Sequence, residues 1–80
     1  MIKQYDEKEF LESQLQWVKQ RDAILAQIEN KLYEMKQIVE HIVSYEISML
    51  ESQKHSLNKR FLLLKNEVDD LEYQLHIFYN

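Results

Sequence analysis

ESQKHSLNK, residues 51–59, is the longest stretch of this chain whose only large apolar residue is a single leucine, Leu57. Regular apolar patterns run up to it and away from it. If the chain turns in or beside this stretch, two helices pack as a hairpin. If one helix runs through it, the protein is a rod.

Upstream, the chain divides into heptads from Phe10: FLESQLQ, WVKQRDA, ILAQIEN, KLYEMKQ, IVEHIVS. The second letter is always aliphatic, at Leu11, Val18, Leu25, Leu32 and Val39, and serves as the a row. The d row holds Gln14, Arg21, Ile28, Met35 and Ile42. The g row carries Phe10, Trp17, Ile24 and Ile38, with Lys31 as its exception. This stripe is wider than a strict a/d seam, a breadth that favours a bundle over a slim two-stranded coil. The opposite face, Gln16, Ala23, Asn30, Gln37 and Ser44, is a solvated surface. Asp6 and Glu9 have the form of a capping box at the helix start, and Glu7 adds negative charge where the helix dipole favours it.

Downstream, a second seam runs through Val43, Ile47, Leu50, Lys54, Leu57, Phe61, Leu64, Val68, Leu71, Leu75 and Phe78 in steps of four and three. Lys54 is its one polar member. The two seams are offset by one residue, and the joint lies between Val39 and Leu50. A continuous helix absorbs such an offset by running locally at 3.75 residues per repeat. A turn removes the need to absorb it and explains the polarity of ESQKHS. Ser52, Ser56 and Asn58 can cap helix ends in glycine's absence. An earlier turn at SYEIS (44–48) would use Ser48 and Glu51 as a capping box. The reading favoured is an all-α helical hairpin of one domain, residues 1–80, with helices over 7–50 and 56–79 and a turn between residues 44 and 56. Such hairpins would associate into a coiled-coil-like four-helix bundle. The alternatives are one long continuous coiled-coil helix and three short helices broken near Asn30.

Composition supports the helical class. Among 80 residues there is neither glycine nor proline, where average usage would supply about ten. Tight turns of sheet-rich folds depend on both residues, which argues against all-β and α/β folds. No cysteine is present to form a disulfide or a thiolate metal site. A chain this short is marginal alone, and oligomerisation is the remaining route to stability. Acidic residues outnumber basic ones, 14 to 10, for a net charge of −4, which argues against nucleic acid as a partner. Phe61 and Leu62-Leu63-Leu64 form the longest apolar run, far short of the ~20 residues a membrane span needs. The charged N-terminus MIKQYDEKEF lacks the apolar core of a secretory signal. These features predict a soluble, cytoplasmic protein without membrane partners.

Little in the sequence suggests chemistry, and the expectation is no enzyme, no cofactor and no metal. There is no Gly-rich phosphate loop. Glu51 with His55 and Glu72 with His76 each share a helix face, and a metal- or ligand-binding bundle built on them is the alternative function. Yet the two pairs are separated by about six helical turns, and HExxH is absent. Arg21 at a d position lays its methylenes along the seam with its head group toward water. Lys54, Lys59, Arg60 and Lys65 form a basic block, followed by the acidic block Glu67, Asp69, Asp70 and Glu72. Such blocks can set antiparallel pairing of two second helices.

The most suggestive feature is apolar residues outside the second seam. Leu62, Leu63 and Ile77 fall at outward b and c positions and Tyr73 at f, whereas the first helix has little outward apolar matter beyond Tyr33. Contiguous apolar surface on a small chain marks an interaction site. The expected function is a non-enzymatic protein–protein interaction module, an adaptor, regulator or small inhibitor. It would act as a homo-oligomer, with a dimer favoured, and would also dock a protein partner of unknown identity.

Overall fold

The structure, a computed structural model, describes the backbone of residues 2–79 and the side chains of residues 6–77. It consists of α1 (Ile2–Tyr45) and α2 (Glu51–Tyr79), with no strand among the described residues. The helices lie against each other as a hairpin, and the Cα atoms span 71 × 18 × 13 Å.

The turn falls at residues 46–50, inside the predicted window. ESQKHS itself is not the turn. It forms the first turns of α2, which begins at Glu51 rather than at 56, and α1 ends at Tyr45 rather than at 50. Two local devices close the connection. Ser48 donates from its backbone N–H and from its hydroxyl to the Tyr45 carbonyl, at 3.1 and 3.2 Å. Leu50 then caps α2: its carbonyl accepts from the Lys54 N–H at 3.0 Å. The Gln53 side chain reaches back to accept from the Leu50 N–H, also at 3.0 Å. That is the returning half of a capping box, with an apolar residue at the cap. The expected caps Ser52, Ser56 and Asn58 sit inside α2, and Ser48 closes α1 instead of opening α2. No described residue has positive φ, so a five-residue connector turns the chain within ordinary backbone space. Asp6 is not an N-cap, because α1 is already helical from Ile2.

On α2 the expected seam faces α1. Leu64, Val68 and Leu71 are buried, Leu64 to 1% exposure, and Leu57, Phe61 and Leu75 are half-buried. The side chain of Phe78 lies outside the described residues. Lys54 is half-buried and pairs with Glu51 at 3.5 Å. The upstream members Val43, Ile47 and Leu50 are exposed, because they lie at the end of α1 and in the turn, past the packed seam.

On α1 only part of the wide a/d/g stripe meets α2. Ile24, Ile28 and Ile38 are buried, and Trp17, Arg21, Lys31, Met35 and Ile42 are half-buried. These are the g and d rows. Leu11, Leu25, Leu32 and Val39 of the a row remain 41% to 66% exposed. A single partner helix covers one seam, and here it covers the one with the larger side chains. Ile24, Ile28, Val68 and Leu71 form the central cluster, with Met35 and Leu75 packed against it. This pairing leaves the first turns of α1 running past the end of α2, where Phe10, Leu11 and Leu15 are exposed.

Candidate interaction surface

Two ion pairs tie the helices along one flank. Lys31 Nζ donates to Glu67 Oε2 at 2.7 Å. Arg60 donates from Nε and Nη2 to Glu34 Oε2, both at 2.8 Å. Lys31 and Glu34 are three residues apart on α1, and Arg60 and Glu67 one heptad apart on α2, so each helix supplies one row. The hydrogen bond from Lys31 is the main reason that the Glu67 carboxyl titrates below its ordinary value. Partial desolvation opposes the shift, and the charges of Lys31 and Arg60 add to it. Near the open end, Arg21 lies over the Trp17 ring at 5.4 Å and pairs with Asp22 at 3.2 Å, while its Nε is buried without a hydrogen-bond partner.

The four residues singled out on α2 are exposed. Leu62, Leu63, Tyr73 and Ile77 range from 49% to 67%. They form two patches rather than one: Leu62 and Leu63 lie together, and Tyr73 and Ile77 sit one helical turn from each other further along. Leu62 and Leu63 border a shallow groove with Lys59, Arg60 and Asn66. The larger apolar surface is elsewhere. The a row of α1 forms a stripe along the flank opposite the ion pairs, so the expectation that α1 has little outward apolar matter is corrected. Its signal is present in the sequence, where the a row forms part of the wide apolar stripe of α1.

At the hairpin end, an open groove of about 550 Å³ is lined by residues including His41, Tyr45, Met49, Ser52 and Leu57. The His41 and Tyr45 rings lie 4.8 Å apart. No carboxylate or lysine lines this groove. Among the described residues no group of three or more His, Cys, Asp or Glu could hold a metal ion. Glu51–His55 and Glu72–His76 lie near opposite ends of α2 and are not brought together. No helix of the described residues is long and apolar enough to cross a membrane. No family model, curated protein or solved structure matches the chain.

Proposed function

We propose that this chain is a non-enzymatic protein–protein interaction module, a cytoplasmic adaptor, regulator or small inhibitor that presents a rigid helical surface. It works as a homo-oligomer, with two hairpins associating into a four-helix bundle. Leu62, Leu63, Tyr73 and Ile77 serve as the docking surface for a further protein. The observation that carries this reading is the disproportion between the core and the exposed apolar surface. Among the described residues, one seam between two helices buries six hydrophobic residues, while fifteen large ones stay exposed. Apolar surface of that extent marks association, and a one-seam core is thin support for a chain of this size. Sedimentation equilibrium at micromolar concentration tests it. A dimer or higher species is expected, and a single 9.8 kDa mass would overturn the homo-oligomeric reading.

A further inference from the structure

We infer that α1 carries a second, self-complementary seam through which two copies of this hairpin pair antiparallel. This rests on the homo-oligomeric reading and assigns the interface within it. The seam alternates the a row, exposed except for the half-buried Val18, with the e row one step away, Leu15, Asp22, Glu29, Lys36 and Val43. Successive members step by four and three, as in a coiled coil. At 100° per residue the seam lies about a third of a turn around α1 from the one that meets α2. It is on the side away from the Lys31–Glu67 and Glu34–Arg60 pairs, where no ion pair crosses between the helices among the described residues.

The order of residues along this seam suits a two-fold axis at the level of Glu29. Leu25 then meets Leu32 of the second copy, Val18 meets Val39, and Leu15 meets Val43. Asp22 faces Lys36 of the second copy, and in the adjoining row Lys19 faces Glu40. The one like-charge contact is Glu29 against its own copy, on the axis. Other registers are worse. Sliding by one heptad sets Asp22 against Glu29 in one direction; in the other it pairs Glu29 with Lys36 but sets Asp22 against Val43 and Val18 against Glu46, burying charge against apolar side chains. Parallel pairing sets Asp22, Glu29 and Lys36 each against itself. Like charges placed in this way suppress the wrong arrangement.

The charges of α2 agree independently. Ile28 packs in one cluster with Val68, and Lys31 bonds Glu67, so Glu29 is level with residues 67 and 68 of α2. At that level the charge of α2 changes sign, from Lys59, Arg60 and Lys65 to Glu67, Asp69 and Asp70. Arg60 and Glu67 are used within the hairpin, whereas Lys59, Lys65, Asp69 and Asp70 make no ion pair among the described residues. The axis chosen from α1 alone therefore lays the basic end of one α2 alongside the acidic end of the other. The paired length from Leu15 to Val43 is roughly 42 Å.

Two experiments on the full chain test the interface. The chain has no cysteine, so a Glu29→Cys variant reports on the axis alone. Mild oxidation should convert it to a covalent dimer much faster than a Gln27→Cys variant, whose thiol lies on the ion-paired flank. Asp22→Lys and Lys36→Asp should each weaken self-association several-fold. Mixed in equal amounts, they should regain parental affinity as a heterodimer, because opposite charges again meet across the seam. If the parent dimerises but the two cysteine variants crosslink equally, or mixing restores nothing, the interface is elsewhere and the homo-oligomeric reading stands. A monomeric parent overturns both.

Discussion

Lys31 breaks an otherwise apolar row of α1, and in the sequence it stands only as an exception. In the fold its stem lies on the packed seam and its ammonium reaches Glu67 at 2.7 Å. The contact gives the hairpin a pH dependence of definite sign. The Glu67 carboxyl is held below its ordinary value of 4.5, so the folded state favours the ionised form. The stabilisation is complete above the unfolded-state pKa and is lost as pH falls through the lower folded-state pKa. Thermal melts followed by circular dichroism should therefore show a falling midpoint on acidification below 4.5, with a smaller fall in Glu67→Gln. An identical acid dependence in the two proteins would show that the pair does not contribute.

At the scale of the helices, the inward face of α2 was legible, whereas on α1 the apolar stripe was legible but not which of its rows would stay outside, for one reason. Downstream of Lys54 a single apolar row repeats without interruption, so Leu57 through Leu75 admit one inward face. Upstream, the a and g rows are both apolar and adjacent, and either can face a single partner helix. Position on the helix should therefore separate the neighbours Leu64 and Leu63. Leu64→Ala removes a fully buried side chain and should cost roughly 2–5 kcal/mol. Leu63→Ala acts on a side chain 49% exposed and should stay within about 0.5 kcal/mol. Denaturant midpoints at fixed chain concentration measure both, since self-association makes apparent stability concentration-dependent. Equal shifts would mean that the inward face of α2 is wrongly assigned.

For the whole molecule, hairpin and rod differ in length. Labels at Gln16 and Gln74 on a continuous helix would stand roughly 87 Å apart, more than the 71 Å longest dimension of the hairpin. Because Leu71 and Leu75 pack with the cluster around Ile24, the end of α2 lies near Trp17 and Arg21. The expected separation is under roughly 30 Å, from one interhelical spacing plus a short axial offset. Pulsed electron–electron distance measurement on labelled chain diluted with unlabelled chain reads the intramolecular value. A long distance under that dilution would exclude the hairpin.

The helical class, the inward face of α2 and the window, residues 44–56, in which a turn could fall follow from the sequence itself, whereas the choice of a hairpin over a continuous helix belongs to the packing of α1 on α2. The absence of glycine and proline, helix propensity and heptad spacing act within a few residues of one another. The tertiary structure alone decided the rest. The cap fell to Leu50 with Gln53 because the turn closed at 46–50, before the polar stretch began. The phase of α1 was chosen by contacts such as Lys31–Glu67, 36 residues apart in the chain. The same choice left Leu25, Leu32 and Val39 outside the core. Two largely apolar rows lie side by side on α1, and only packing against α2 determines which of them is buried and which remains as surface.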